Sequence, residues 1–229
     1  HRNTPVSTYC LEFARRGYVT FSIDYRLVQE DPDPGLDNVI LDKSTIKRSR
    51  MDHVRKLLGL EPATTEMLWS GMEAAFNDMR QAYEYVAAHA STYGIDRSRI
   101  AVGGFSAGAR MAACATYGKN LPAAAVVALS GMLGMEDAKR VILPGGTYAP
   151  ALIVVGENDL DYVKALGQEA HAYFDQRGVT NELWEVPGGT HFYPASSPVH
   201  KGGVPAVTSQ LEPVVADFLY RALRLSELG

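Results

Sequence analysis

Two spacings of apolar residues divide the chain into predicted strands and predicted helices. Apolar runs at residues 123–129 and 150–155 are typical of strands buried on both faces of a sheet. Residues 65–90 instead carry apolar side chains at steps of four and three, which is typical of a long helix with one buried stripe. Strands and helices that follow one another in this way predict an α/β protein.

The same patterns, bounded by turn residues, predict an order of elements for the whole chain. In that order they are helix 5–16, strand 18–25, an insertion at 28–64, helix 65–90, strand 99–105, helix 107–117, strand 123–129, helix 135–141, strand 151–155, helix 162–177, strand 182–186 and helix 205–225. The strand at 182–186 alternates polar and apolar residues, which is typical of an edge strand.

The insertion is the most irregular part of this pattern. A turn signal at residues 31–35 is followed by residues 38–60, which mix aliphatic and basic side chains. We predict one or two amphipathic helices there, lying over the carboxyl edge of the sheet. They either form a small cap that contributes to a substrate pocket or are a peripheral decoration.

A serine stands between the predicted strand 99–105 and the helix that follows it, in the pentapeptide Gly104-Phe105-Ser106-Ala107-Gly108. A strand-to-helix turn pushes the serine hydroxyl above the sheet edge, and we expect both flanking glycines to be required by close packing. Ser106 is therefore a candidate nucleophile. The N–H of Ala107, at the start of the helix, is an expected oxyanion donor. The alternative is a glycine-rich turn without chemistry.

A serine nucleophile needs a base and an acid to orient that base, and candidates for both follow later strands. Carboxylates follow strand 151–155 at Glu157, Asp159 and Asp161, and each could be a solvated surface charge. His191 lies in the loop after strand 182–186. Its rival is His200, in residues 196–201, which we interpret as a mobile loop; the other four histidines are interpreted as surface or packing residues.

With a serine, an acid and a histidine in this order, each after its own strand, the chain resembles the α/β-hydrolase fold. Within that fold it resembles the carboxylesterase and lipase group whose members carry a G-x-S-A-G motif, from residue 17 to the last helix. The resemblance implies a single domain with a mostly parallel sheet, helices on both faces and the insertion at 28–64. It assigns Ser106 as nucleophile, Asp159, which matches the family's Gly-x-x-Asp spacing, as acid and His191 as base.

The activity that the resemblance implies is hydrolysis of carboxylic esters through an acyl-enzyme, without a cofactor. Because a neutral imidazole must act as the base, activity is expected to fall below about pH 6–7. Phe105, Phe192 and Tyr193 are expected either to line a small pocket for short-chain or aromatic esters, or to be packing residues. An amidase or peptidase of the same fold, of the formamidase or prolyl-oligopeptidase kind, and a non-catalytic binding member remain alternatives.

In the resembled family, a glycine-rich loop before the first helix supplies further oxyanion donors, and one more strand lies between those that match Tyr18 and Arg99. Neither is found in this sequence. We therefore expect the sequence to be N-terminally incomplete, lacking the N-terminal strands of the fold and the oxyanion loop. We also expect these residues alone to have weak or no activity, because one lost oxyanion donor lowers turnover about 10²–10³-fold.

Composition argues against nucleic acid and a membrane span, so the partner that remains is the small-molecule ester that the resemblance implies. The 229 residues are 46% hydrophobic, which suits one globular domain, and the net charge of −4 without a basic cluster argues against nucleic acid. No apolar run reaches the roughly 18–20 residues of a membrane span, so we predict a soluble protein of undetermined compartment and oligomeric state. No spacing suggests a metal or a nucleotide, and Cys10 and Cys114 are expected on opposite faces of the sheet, too far apart for a disulfide.

Overall fold

A six-stranded sheet in the order β1-β2-β3-β4-β5-β6 forms the centre of the molecule. The computed structural model describes residues 5–46, 52, 55–202 and 207–228. The strands are β1 (Ala101–Phe105), β2 (Ala125–Leu129), β3 (Ala151–Gly156), β4 (Asn181–Val186), β5 (Pro198–Lys201) and β6 (Val207–Gln210). The first four strands pair in parallel, whereas β5 runs antiparallel to both of its neighbours. The predicted mostly parallel sheet is confirmed.

The central strands are buried on both faces, as their unbroken apolar runs predict. In β2, Val126 and Ala128 pack into one layer, whereas Ala125, Val127 and Leu129 pack into the other. All five side chains are buried. This burial is what makes a strand without polar positions stable in the middle of the sheet.

Helices cover both faces of this sheet. They are α1 (Pro5–Arg15), α2 (Thr65–Ala88), α3 (Ala90–Tyr93), α4 (Ala107–Ala113), α5 (Met135–Val141), α6 (Asp161–Arg177) and α7 (Leu211–Ala222). Phe13 of α1 and Phe218 of α7 belong to one apolar layer, whereas Phe76 of α2, Met111 of α4 and Phe174 of α6 belong to the other. The predicted arrangement of helices on both faces is confirmed.

The two cysteines lie in these opposite layers and are both free thiols. Cys10 is on α1, and Cys114 begins the π-helical turn Cys114–Gly118 that continues α4. Burial raises the pKa of the Cys114 thiol to about 12, so this cysteine is a packing residue in its protonated form.

The predicted strand at 18–25 is wrong. These residues form no strand, because a strand needs a neighbour and the only strand that pairs with β1 in the described residues is β2. Side chains hold the segment instead: the Tyr18 ring contacts Phe13 edge-on at 5.5 Å, and Phe21 contacts Tyr93 in the same way at 5.2 Å. Residues 1–4 lie outside the described part, and the expectation about the N-terminus stays an expectation.

The end of the sheet also differs from the prediction. The strand predicted as an edge is β4, which has β3 on one side and β5 on the other. The segment 196–201, interpreted as a mobile loop, contains β5, and β6 occupies residues 207–210 of the predicted last helix, so that α7 begins at Leu211. These two short strands are polar and lack the apolar alternation that would predict them.

The described part of the insertion contains two 3₁₀ turns, Val28–Glu30 and Lys43–Thr45, and helical residues at 52 and 55–57. Of the range predicted to form amphipathic helices, residues 38–46 contain no α-helix. Its buried residues Val39 and Ile40 dock on the helices. Glu73 of α2 accepts a hydrogen bond from the Ile40 N–H (2.6 Å), and the Ile40 carbonyl accepts one from the Trp69 indole (2.9 Å).

This docking site lies away from the carboxyl edge of the sheet. Lys119 donates a hydrogen bond to the Asp37 carbonyl (2.9 Å), and Lys119 directly follows the helical segment 107–118 that starts beside Ser106. At 1.5 Å per residue, the α-helical part Ala107–Ala113 alone is roughly 10 Å long, and the π-helical turn Cys114–Gly118 lengthens the segment further. The predicted position over the carboxyl edge is therefore wrong for residues 37–40. Residues 47–51, 53 and 54 lie outside the described residues, where a cap stays a prediction.

We predict that Glu73 is the main anchor of the insertion. Its side chain is fully buried, and its Oε2 lies 3.5 Å from Nζ of Lys119, whose side chain is only 2% exposed. Glu73→Ala removes one partner of a buried ion pair and is expected to lower the free energy of unfolding by about 3–5 kcal/mol.

Glu66→Ala is the matched control for this prediction in urea denaturation. Glu66 is on the same helix and pairs with Lys43 at 2.5 Å, but its side chain is 61% exposed, so the expected loss is below about 1 kcal/mol. Equal losses for the two variants would contradict the anchoring role.

Candidate active site

Ser106 occupies a tight turn between β1 and α4. Its φ of 54° and ψ of −113° lie outside the regions that residues with a side chain normally adopt. The turn is fixed on both sides, because the Ser106 N–H donates to the Leu129 carbonyl (2.8 Å) and the Ser106 carbonyl accepts from the Arg110 N–H (3.0 Å). The predicted strand-to-helix turn is present at the predicted residue.

One of the two flanking glycines permits this turn sterically. A Cβ on Gly104 would lie 2.9 Å from the carbonyl carbon of Gly108 and 3.2 Å from the nitrogen of Ala109, so β1 and α4 could not approach as they do. A Cβ on Gly108 would meet no described atom within 4 Å. The prediction that Gly108 is sterically required is therefore wrong, because a Cβ at Gly108 would point away from the contact with β1.

Three side chains from three strand ends meet at this turn. Nε2 of His191 lies 2.7 Å from Oγ of Ser106, and Nδ1 of His191 lies 2.7 Å from Oδ1 of Asp159. Ser106 follows β1, Asp159 follows β3 and His191 follows β4, and the carboxyl ends of these parallel strands lie at one edge of the sheet. The structure thus brings together the three residues predicted from the sequence, in one hydrogen-bonded chain.

The Asp159 carboxylate is buried and extensively hydrogen-bonded. Its Oδ1 accepts from His191 and from the Leu160 N–H (2.7 Å), and its Oδ2 accepts from the Ser130 hydroxyl (2.5 Å). Burial raises the pKa of Asp159, but the hydrogen bonds from His191, Ser130 and Leu160 outweigh it and bring the pKa below its usual value. The carboxylate is therefore held in its charged form beside the imidazole.

The rival acids and the rival histidine are engaged elsewhere. The Glu157 carboxylate accepts a hydrogen bond from the Gly188 N–H (2.6 Å) and so fixes the loop that precedes His191. Asp161 is exposed at the first residue of α6. His200 lies in β5, where its Nε2 is 3.3 Å from a carboxylate oxygen of Glu185.

The three aromatic residues predicted to line a pocket have different environments. Phe105 and Tyr193 are buried and contact each other edge-on at 5.1 Å, so they are part of the core below the serine. Phe192 is 46% exposed, and its ring lies 4.8 Å from the imidazole of His191. Of the three, Phe192 is the one that a molecule approaching His191 and Ser106 can contact.

Sequence reasoning missed Ser130, which follows β2 and lies within hydrogen-bond distance of Asp159. Its position in the sequence could have revealed it. A serine and a glycine that directly follow a buried parallel strand lie at the same sheet edge as the other three residues. A Cβ on the neighbouring Gly131 would lie 2.4 Å from the Ser106 carbonyl oxygen, so this turn packs directly against the serine turn.

The described residues contain no group of three or more His, Cys, Asp or Glu side chains that could hold a metal ion. Within the same residues, every helix is too short or too polar to cross a lipid bilayer. The groups that meet at the site are a serine hydroxyl, an imidazole and a carboxylate. Close to them, the N–H groups in the first turn of α4 have no acceptor within the helix.

Comparison with known proteins places the chain among esterase-like folds. The BD-FAE family model, an α/β-hydrolase-type esterase domain, matches residues 67–137, which is under a third of the chain. No curated protein matches the chain.

Several solved structures are similar at low identity. A truncated form of a carbohydrate esterase from gut microbiota is 19% identical with a TM-score of 0.50, over 66% of this chain and 69% of that one. The esterase Est22 is 22% identical with a TM-score of 0.42, over 52% of this chain and 48% of Est22, so this chain spans about half of its length. A SOBER1 variant from Arabidopsis thaliana is 16% identical with a TM-score of 0.46, over 66% and 65%.

At these identities the similarity is one of fold. The first of these structures, together with the parallel sheet and its two helical layers, shows that the chain has the α/β-hydrolase fold. The predicted fold class is confirmed.

The two glycines give the first test of the turn geometry. We expect Gly104→Ala to lower the free energy of unfolding by about 1–3 kcal/mol, because its Cβ would overlap the backbone of α4. Gly108→Ala is expected to change it by less than about 1 kcal/mol, in the stabilising direction, because alanine is the better helix former. Urea denaturation of both variants measures the difference, and an equal loss in both would contradict the close approach of β1 to α4 at Gly104.

The lowered pKa of Asp159 predicts a pH dependence of stability. Because the folded carboxyl binds its proton at lower pH than the unfolded one, its contribution is complete above the unfolded value of about 3.9 and is lost as the pH falls below it. We expect the free energy of unfolding of the wild type to fall more steeply between about pH 5 and pH 2 than that of Asp159→Asn. Denaturant titrations across this range test it, and parallel curves would contradict it.

Proposed function

We propose that this chain is a serine carboxylic-ester hydrolase in which Ser106 is the nucleophile, His191 the general base and Asp159 the acid of the triad. The observation that carries the proposal is the chain of two 2.7 Å contacts from Ser106 Oγ through the imidazole to the buried Asp159 carboxylate. This arrangement has the serine within reach of a base and the base fixed by an anion, which is what activation of a weak hydroxyl nucleophile requires.

In the proposed reaction, Ser106 Oγ attacks the ester carbonyl carbon while its proton passes to His191 Nε2. The tetrahedral intermediate collapses by breaking the bond to the alcohol oxygen, which leaves with the proton from the imidazole. Water then attacks the acyl-enzyme with His191 again as base, and the acid is released with Ser106 restored. Asp159 accepts the Nδ1–H bond throughout and stabilises the imidazolium that forms twice in each cycle.

The developing oxyanion needs hydrogen-bond donors on the far side of the carbonyl. The proposed donor in this chain is the N–H of Ala107, the first residue of α4, where the helix dipole also favours negative charge. The resemblance assigns further donors to a loop that precedes the first helix in the family. A single donor is expected to support slower turnover than a complete oxyanion hole, by about 10²–10³-fold for each donor.

Two observations favour an ester substrate of modest size. The esterase-type family model covers residues 67–137, which include the proposed nucleophile. The exposed Phe192 ring beside His191 offers one apolar face close to the reacting atoms, which suits a short acyl chain or an aromatic acid or alcohol.

Hydrolysis of p-nitrophenyl acetate and butyrate tests the proposal. Ser106→Ala is expected to reduce turnover to the rate of the uncatalysed reaction. Asp159→Asn is expected to lower kcat by about 10⁴-fold, because the imidazole loses the partner that fixes its tautomer. Asp161→Asn is the matched control: it changes an exposed carboxylate two residues away, and we expect turnover close to that of the wild type.

A fluorophosphonate probe gives an independent test that does not depend on the choice of ester. Mass spectrometry of the labelled wild type is expected to find the adduct on Ser106, with no labelling of Ser106→Ala. Retained ester turnover in Ser106→Ala, or an adduct on another residue, would refute the assignment. Faster turnover of an amide than of the ester with the same acyl group would instead identify an amidase.

A further inference from the structure

The turn that follows β2 contacts both ends of the proposed triad. The Leu129 carbonyl accepts the Ser106 N–H at 2.8 Å, and Gly131 packs against the Ser106 carbonyl so closely that a Cβ there would lie 2.4 Å from its oxygen. Between these two residues, the Ser130 hydroxyl lies 2.5 Å from Oδ2 of Asp159. Three consecutive residues therefore connect the backbone of the nucleophile to the carboxylate that orients its base.

Ser130 itself is held in an uncommon conformation. Its φ is 51°, which is rare for a residue with a Cβ, and it is 1% exposed. Its N–H donates to the Val154 carbonyl (2.8 Å), and that carbonyl also accepts from the Tyr193 hydroxyl (3.0 Å). A strained residue that is buried and fixed by its neighbours in this way is typical of functional sites.

The single proton of the Ser130 hydroxyl has two oxygen neighbours. Oδ2 of Asp159 is at 2.5 Å and the Tyr193 hydroxyl oxygen is at 3.1 Å. A charged acceptor forms the shorter and stronger bond, so the proton lies toward Asp159. Burial raises the pKa of Tyr193, which keeps its phenol protonated as a donor to Val154. Tyr193 therefore fixes the position of Ser130 without contacting the carboxylate.

Each oxygen of Asp159 then has a separate task. Oδ1 accepts from His191 and from the Leu160 N–H, whereas Oδ2 accepts from Ser130 at 2.5 Å and from the Gly156 N–H only at 3.4 Å. The torsion that turns a carboxylate about its axis is broad and confines the group weakly. The Ser130 bond is the short contact that prevents Oδ2 from turning and Oδ1 from leaving the imidazole.

On the basis of the proposed function, we propose that Ser130 is a positioning residue for the triad, whose hydroxyl holds the Asp159 carboxylate in the orientation that fixes His191. The role is exerted through Asp159. Its loss should therefore slow the chemical step and leave substrate binding nearly unchanged.

Ser130→Ala and Ser130→Gly together separate the hydroxyl from the backbone. Both remove the hydrogen bond, but glycine adopts a φ of 51° without strain, so Ser130→Gly relieves a strain that Ser130→Ala keeps. We expect kcat for p-nitrophenyl butyrate to fall by about 10- to 100-fold in both variants, with KM little changed. A kcat near the wild-type value in Ser130→Gly would overturn the proposal, because the backbone and not the hydroxyl would then matter.

Proton NMR gives a second measurement that needs no substrate. The proton between His191 Nδ1 and Asp159 Oδ1 is expected to resonate at low field in the wild type and in Ser106→Ala, and to be absent in Asp159→Asn. We expect it to move upfield or broaden in both Ser130 variants. Asp161→Asn, which changes an exposed carboxylate outside these contacts, is the control, and the resonance is expected to be unchanged in it.

These readouts distinguish the two proposals. A shifted resonance in the Ser130 variants, with neither a fluorophosphonate adduct on Ser106 nor Ser106-dependent turnover in the wild type, would refute ester hydrolysis and support the positioning role. An unchanged resonance in folded Ser130→Gly would overturn the positioning role, whatever the rate of ester hydrolysis.

Discussion

The site depends on the hydrogen bonds of one buried carboxylate. Asp159 is buried in the turn that follows β3, where an ionised group without partners would be too costly to keep. Donors from His191, Ser130 and Leu160 offset that cost and keep the charge in place. Without that anion, the imidazole would have no fixed tautomer, and its contact with Ser106 would be one of several orientations. The hydrogen bonds that hold the aspartate therefore determine how the imidazole is oriented toward Ser106.

A second buried carboxylate, on α2, shows the same physical rule with a different outcome. Glu73 accepts a hydrogen bond from the Ile40 N–H and forms an ion pair with the Lys119 ammonium, and the first of these contacts docks the insertion on the helices. Asp159 accepts a hydrogen bond from the His191 imidazole, which also contacts the Ser106 hydroxyl at the carboxyl edge of the sheet. Burial alone therefore does not indicate function. What differs is whether one of the partners also faces a group that can react.

The three triad candidates could be predicted from the sequence because each follows a parallel strand, and parallel strands end at one edge of the sheet. For residues that directly follow such strands, their order along the chain therefore predicts that they lie close together in the fold. The same logic reaches Ser130, which also follows a central strand, but its role depends on a side-chain contact that no spacing encodes. The choice of Asp159 over Glu157 likewise depends on loop geometry, since Glu157 turns back to the Gly188 N–H.

Some strands could not be predicted from the sequence, because a strand forms only where a neighbouring strand pairs with it. Residues 18–25 have the composition of a strand, yet strand formation depends on a neighbouring ladder, which they do not have among the described residues. The strands β5 and β6 are the converse, because their polar residues become strands through pairing with β4 and with each other.

The prediction for Gly108 was wrong for a different reason. Close packing of two backbones requires the glycine whose Cβ would point into the contact, and the direction of that bond is set by the turn.

Two residues with side chains, Ser106 and Ser130, have positive φ values of 54° and 51° at the ends of adjacent strands. Each conformation costs on the order of 1–3 kcal/mol and persists because the surroundings fix it. The same contacts fix both: Ser106 bonds to Leu129, and Gly131 fits beneath the Ser106 carbonyl. The β1–β2 register thus sets the distance between the two turns, and through Ser130 and Asp159 it sets the place of the imidazole. The backbone strain at Ser106 and Ser130 and the fixed position of the His191 imidazole are both consequences of the pairing of β1 with β2.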